Sequence, residues 1–209
     1  LIQTCDDAVG IEDAVGWSYD REGHSFYVLA FPTSNRTYVY DGITQKWHRR
    51  AYLDTATGEW LKYRPQFHAH CFNKNLVLDN DSFKVYSLSS TVYTDVGGVA
   101  LRRERVMPHV SAENKRIYFG PSELECDRGV GTGAGQGEDP VVALQTSNDG
   151  GMTYGASRMR NVGKVGTYTT RVRWDQCGSA RDRRWKLWSS DPAPTRWFDF
   201  YVTPDVGVS

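Results

Sequence analysis

His68-Ala69-His70 places two imidazoles one residue apart, and such side chains share one face of a strand. A pair of this kind could ligate a metal, but no third ligand follows at metal-site spacing. Hydrogen-bonded surface or interface histidines are therefore expected. Cys5, Cys71, Cys126 and Cys177 are widely spaced and form no C-x-x-C, which argues against zinc and for reduced thiols, as in a cytosolic protein. No serine sits in G-x-S-x-G. Asp6-Asp7, and Asp79 with Asp81, lie in loop-like contexts and carry no acid–base signal. Glycine occupies every second position from Gly129 to Gly137, without the lysine of a P-loop or the following helix of a dinucleotide site. A long flexible loop is expected there. No catalytic, cofactor-binding or metal-binding residue is assigned, and an enzyme is not expected.

Two segments carry more information. Ser147-Asn148-Asp149-Gly150-Gly151-Met152-Thr153-Tyr154 fits S-x-D-x-G-x-T-[WY], the Asp-box hairpin of sialidases and other β proteins. Its chemistry is that of a turn. The aspartate accepts backbone N–H groups, the glycines take positive φ, and the tyrosine packs beneath. The second segment, Ser157 to Lys186, holds nine basic residues against Asp175 and Asp182. Within it, Arg171, Arg173, Arg181, Arg183, Arg184 and Lys186 are the candidate partner- or DNA-facing residues. Arg171 and Arg173 share one strand face, with Val172 and Trp174 on the other.

The elements that must position these residues are strands. Apolar residues never sustain helical spacing over three turns, whereas short β-branched and aromatic runs recur between Gly, Asn, Asp and Pro. Expected strands include 25–31, 37–40, 75–78, 83–88, 101–106, 116–119, 141–146, 168–174, 184–188 and 197–202. The fold class is all-β: a propeller-blade-like antiparallel meander over residues 1–96, then a β-sandwich-like region over 97–209 that could run on from the first. Val39-Tyr40 and Val85-Tyr86, 46 residues apart, set the expected blade period. Two units cannot close a ring. Thr94 to Ala100 interrupts the pattern and marks the expected boundary.

Composition sets the limits. The 209 residues carry 25 Lys+Arg and 25 Asp+Glu, a net charge of zero. That argues against a uniformly basic nucleic-acid binder. Residues 1–96 hold 9 basic and 12 acidic side chains, and residues 97–209 hold 16 and 13, so the halves differ in sign. Aromatics at 13% argue against disorder. No run approaches the ~18 apolar residues of a membrane-spanning helix, and no signal-peptide pattern opens the chain. The first residue is Leu1 rather than Met, and a piece of a longer protein is expected.

The order of motifs resembles a known family. The residues are His24-Ser-Phe-Tyr-Val-Leu-Ala-Phe-Pro32, Tyr38-Val-Tyr-Asp41 with Trp47-His48, and Tyr86 with Tyr93-Thr-Asp95. Arg102-Arg103-Glu104-Arg105, Pro108-His109, Gly133-Ala-Gly-Gln-Gly137, Asp139-Pro140 and Gln145-Thr-Ser-Asn-Asp-Gly-Gly151 continue the series. Gly163-Lys-Val-Gly166, Arg171-Val-Arg-Trp174, Gly178-Ser-Ala-Arg-Asp-Arg183 and Ser190-Asp-Pro192 complete it. In order and spacing these resemble the packaged-DNA stabilisation (tail hub or nozzle) proteins of short-tailed bacteriophages of the Salmonella-phage type, in their C-terminal portion.

The resemblance implies a structural virion protein of the phage tail. It implies a homo-oligomeric, hexameric ring below the portal and adaptor that closes or extends the DNA channel and retains packaged DNA. Its implied partners are other copies of itself, the portal–adaptor, the tail needle, tailspike or fibre proteins, and DNA passing through to ejection. Membrane insertion by this chain is not implied. The implied location is the virion tail, after assembly in the host cytoplasm. The resemblance further implies a propeller core in chains about twice this length. A different class, a carbohydrate-binding or sialidase-like β module, is suggested by the single Asp-box and the seven tryptophans.

Overall fold

Alternation of more and less buried side chains, the signature of a half-buried strand, is clearest over residues 36–41, 117–126 and 182–189. The computed structural model describes residues 11–207, so Cys5, Asp6 and Asp7 lie outside the described residues. The chain divides into two compact units between Ser90 and Thr91.

The first unit holds a five-stranded antiparallel meander: β1 (Val15–Arg21), β2 (His24–Phe31), β3 (Arg36–Asp41), β4 (Lys46–Leu53) and β5 (Trp60–Lys62). A three-stranded meander follows: β6 (Pro65–Cys71), β7 (Lys74–Asp79) and β8 (Val85–Ser87). Register fixes what meets. Trp17 pairs with Val28, Val28 with Val39 and Val39 with His48, so one face of the larger sheet carries a small core. Tyr19, Val28 and Val39 are buried there, flanked by Trp17, Phe26 and Leu88. His68 of β6 stacks on Trp17 at 5.6 Å and tilts against Tyr19 at 5.8 Å, which joins the two meanders.

The turns of this unit reuse one device. Asp41, which ends β3, accepts the N–H of Ile43 at 3.0 Å and the Thr44 hydroxyl at 2.9 Å. Asp54 accepts Ala56 N–H and the Thr57 hydroxyl in the same way, and Asp79 accepts Asp81 N–H and the Ser82 hydroxyl. The fifth residue of each turn is left-handed: Gln45 at φ 54°, Gly58 at 74° and Phe83 at 55°. Side-chain capping of a turn by aspartate favours this shape over continued strand. It also revises the repeat. Val39 lies in β3 and Val85 in β8, which are not equivalent strands; the structural repeat runs instead from Asp41 to Asp79.

The second unit is a β-sandwich. It comprises β9 (Arg103–Val106), β10 (Val110–Ser111), β11 (Ile117–Cys126), β12 (Val141–Ser147), β13 (Arg158–Asn161), β14 (Val172–Trp174), β15 (Ser179–Ala180), β16 (Asp182–Ser189) and β17 (Trp197–Val206). One sheet runs β10-β16-β12-β13, with β9 also on β16; the other runs β14-β11-β15, with β17 also on β11. Inward side chains of both sheets interdigitate. Phe119 of β11 meets Trp185 of β16 edge-on at 5.4 Å, and Phe200 of β17 lies 5.6 Å from Trp185 and 6.3 Å from Trp174. Trp174 and Trp185 are almost fully buried. Truncating either to alanine is expected to cost about 3–5 kcal/mol.

Two expectations change here. The strand over 168–174 shortens to β14, because Tyr168 and Thr169 lie in a turn across which the Thr170 hydroxyl donates to Thr167 C=O at 3.1 Å. The glycine tract folds back on itself rather than trailing freely. Thr132 N–H donates to Gly137 C=O at 2.7 Å and Glu138 N–H to Gly135 C=O at 3.1 Å. A Cβ on Gly131 would strike the Glu138 carbonyl, so glycine here permits close backbone approach.

Two predictions follow from these turns. Gly131→Ala should destabilise the second unit by more than about 1 kcal/mol in urea titration, since the clash is with backbone. The second concerns pH. Burial pushes the Asp41 carboxyl up, but the donors from His24, Thr44 and Ile43 prevail and hold it at about 2, below its ordinary 3.8. A lowered native value means stability fully present above about 3.8 and lost as pH falls toward about 2. Melting temperature measured across that window should fall more steeply for the native chain than for Asp41→Asn.

Candidate functional site

Adjacent residues in a strand point to opposite faces, and this decides the fate of the basic segment. In β16 the inward set is Arg183, Trp185, Leu187 and Ser189, and the outward set is Asp182, Arg184, Lys186 and Trp188. Arg183 and Arg184 therefore cannot both face a partner. Arg183 is only 4% exposed, which corrects its expected partner-facing role. Its Nε donates to Asn148 Oδ1 at 2.9 Å, Nη1 to the Cys177 carbonyl, and Nη2 to the Ser179 carbonyl at 3.3 Å. Its guanidinium lies over the Phe119 ring at 4.5 Å and the Trp185 ring at 5.3 Å. Burial lowers its pKa; an arginine guanidinium nonetheless stays protonated in a protein, and this one is a cation held by carbonyls and π-faces.

The remaining candidates divide between two sheets. Arg171 and Arg173 belong to β14 or its edge, whereas Arg184 and Lys186 lie on β16 in the opposite sheet. Arg171 holds Glu123 through both carboxylate oxygens at 2.9 and 2.5 Å, which raises the arginine and lowers the glutamate. Arg173 pairs with Asp175 at 2.9 Å. Arg181 donates to the Asn114 carbonyl. Arg184 Nε donates to His109 Nε2 at 2.7 Å, and His109 Nδ1 donates to Asp182 at 2.8 Å, so a cation, a ring and a carboxylate form one chain. Lys186 Nζ sits 4.0 Å above the Tyr154 ring. These six residues thus form no continuous basic patch; each cation has a partner within its own unit.

The Asp-box folds as its residues imply. Asp149 accepts N–H groups from Met152 and Thr153 at 3.0 Å and the hydroxyls of Ser147 and Thr153. Those donors hold its carboxyl far below the ordinary range. Gly150 and Gly151 take φ of 78° and 96°. The carboxylate is fully engaged in the turn, and Asn148 of the same turn is the anchor for Arg183. His68 and His70 likewise converge on one acceptor, Asn75 Oδ1, at 3.0 and 3.1 Å. Cys126 and Cys177 are buried free thiols, and burial pushes Cys126 up to about 11.

Sequence reasoning missed one structural arginine. Arg103 donates to the carbonyls of Asp191 at 2.7 Å, Ala193 at 3.0 Å and Thr195 at 3.4 Å, clasping the loop before β17. Asp191 in turn accepts Val141 N–H at 2.7 Å, at the start of β12. The partners lie some ninety positions away, so no local pattern marks Arg103. Arg183, by contrast, was readable from the parity of Trp185 and Leu187.

A sandwich in which Arg103, Arg183 and the Asp-box carboxylate are bound into turns, carbonyls and rings is consistent with a structural β module. Residues 102–204 match the family model described as Bacteriophage P22 Gp10, beta-sandwich. Over those residues the chain is similar to that β-sandwich domain, which supports a bacteriophage structural protein. A comparison with curated proteins found no match.

The parity of β16 is testable. Arg183→Ala should lower stability by about 3 kcal/mol or more, because it strands buried acceptors and leaves a void. Arg184→Ala, one residue away, should change it by no more than about 0.5 kcal/mol. Chemical denaturation of both variants checks the pair.

Proposed function

We propose that this chain is part of a ring-forming tail hub or nozzle, below the portal and adaptor, that closes or extends the DNA channel and retains packaged DNA. The observation that carries the reading is the match of residues 102–204 to the phage Gp10 β-sandwich. The role is mechanical and involves no catalysis. A close-packed two-sheet core resists deformation, and repeated copies of one interface close a ring, hexameric on this reading. The portal–adaptor, the tail needle and tailspike or fibre proteins are the proposed neighbours, within the tail of a virion assembled in the host cytoplasm.

Pairing of Arg171, Arg173 and Arg196 with carboxylates supports a conduit, since it takes three exposed cations out of competition for DNA phosphates. Binding of duplex DNA to the isolated chain, followed by fluorescence anisotropy, should be no tighter than the ~10⁻⁴–10⁻⁶ M of non-specific contacts at physiological salt. Cryo-electron microscopy of the parent particle should find this chain as a ring beneath the portal–adaptor. Density for it at another place in the virion would reject the hub assignment.

A further inference from the structure

We propose that a cleft on the first unit is a receptor for a carboxylate group, and that its occupant is an acidic side chain of a partner protein. The cleft has a volume of about 300 Å³ and is lined by Tyr19, Arg21, His24, Phe26, Asp41 and Arg50, with Glu22 at its edge. It lies at the turn joining β1 and β2, where Arg21 pairs with His24 and Tyr19 with Phe26.

Arg50 is the centre of the argument. Its guanidinium sits over three rings, 5.6 Å from Tyr19, 5.3 Å from Phe26 and 5.7 Å from Tyr63. Contacts of this kind place the cation among π-faces without giving it a carboxylate. Of its five N–H donors, one reaches a protein acceptor, His48 Nε2, at 3.3 Å. That acceptor is an imidazole whose protonation is disfavoured by burial and by Arg50 itself. Arg50 therefore has no carboxylate partner within the described residues. Arg21, the second guanidinium of the cleft, approaches Glu22 only to 3.8 Å.

Three other arginines do hold a carboxylate. Arg64 holds Asp79 at 2.6 Å, Arg171 holds Glu123 at 2.5 Å and Arg196 holds Asp127 at 2.6 Å. Asp41 makes no hydrogen bond or ion pair with Arg50; its oxygens accept from His24, Ile43 and Thr44. The cleft thus presents an unmatched fork, and a planar fork matches a carboxylate in two parallel hydrogen bonds. The negative charges of Asp41 and Glu22 at its wall and edge disfavour a polyanion such as DNA, while a single carboxylate meets the two guanidiniums.

Arginine Nε–Hε resonances of the ¹⁵N-labelled full chain provide the test. Sodium acetate, sodium phosphate and a short oligothymidine are each titrated against sodium chloride at matched ionic strength. Acetate should shift the Arg50 resonance saturably, at least threefold more than chloride does, and leave Arg184 unmoved. Arg50→Lys should lose the saturable response, with circular dichroism reporting whether it folds. A linear Arg50 response equal to that of chloride overturns the site. Saturation by phosphate or by oligothymidine, but not by acetate, overturns the carboxylate assignment. None of these readouts depends on the hub reading, so the two stand or fall separately.

Discussion

A guanidinium buried without a carboxylate organises the second unit. Removing an ion from water costs several kcal/mol, and that cost is met only by good geometry on every side. Arg183 meets it with two carbonyls, one amide oxygen and two aromatic faces. These come from separate parts of the chain: Phe119 from β11, Asn148 from the Asp-box turn, Cys177 and Ser179 from the approach to and start of β15, and Trp185 from β16. The cation can be satisfied only when both sheets, the Asp-box and the β15 approach are in register together. That requirement links local turn chemistry to sheet-on-sheet packing, and Arg103 repeats it with carbonyls alone at the loop before β17.

Carboxylates are used in the same scaffolding way. Asp41, Asp54, Asp79 and Asp149 each accept backbone N–H groups and a hydroxyl within a turn. A carboxylate with that many donors stays ionised and cannot act as a general base near neutral pH. Asp79 adds Arg64 to its set, and burial of that pair is offset by the extra bonds. The abundance of aspartate in loops, which gave no acid–base signal in the sequence, has a positive explanation: strands this short need strong stops.

The all-β class and most strands were legible because alternation and turn residues are local. The Asp-box was legible for the same reason: all its donors lie within seven residues of one another. The repeat was misread because Val39-Tyr40 and Val85-Tyr86 are composition matches, whereas the turn aspartates mark strand ends. The basic segment was misread because cations were counted along the chain. Counting by parity from Trp185 puts Arg183 inside, and topology then separates Arg171 and Arg173 from Arg184 and Lys186. Sheet order and the distant carbonyls around Arg103 depend on contacts no window contains. The glycine tract was taken as loose because glycine permits freedom, yet the same missing Cβ permits the close approach seen at Gly131.

Zero net charge also acquires a finer meaning. Overall neutrality could arise from separated positive and negative patches, whose fields reach outward to roughly a Debye length of ~8 Å. In the second unit several opposite charges lie beside each other, as in Arg171–Glu123, Arg173–Asp175 and Arg196–Asp127. A close pair is a dipole, and its field in water falls away faster than that of a lone charge. Pairing therefore quiets the potential that a polyanion would feel, and it does so without removing the arginines that stiffen the sheet. A surface of this kind holds its shape through charge while offering passing DNA little to bind, which is what the proposed conduit requires. In the first unit the guanidinium of Arg50 lies among three rings, lines a cleft and meets no carboxylate of the described residues, and that combination is what marks the cleft as a place for a ligand.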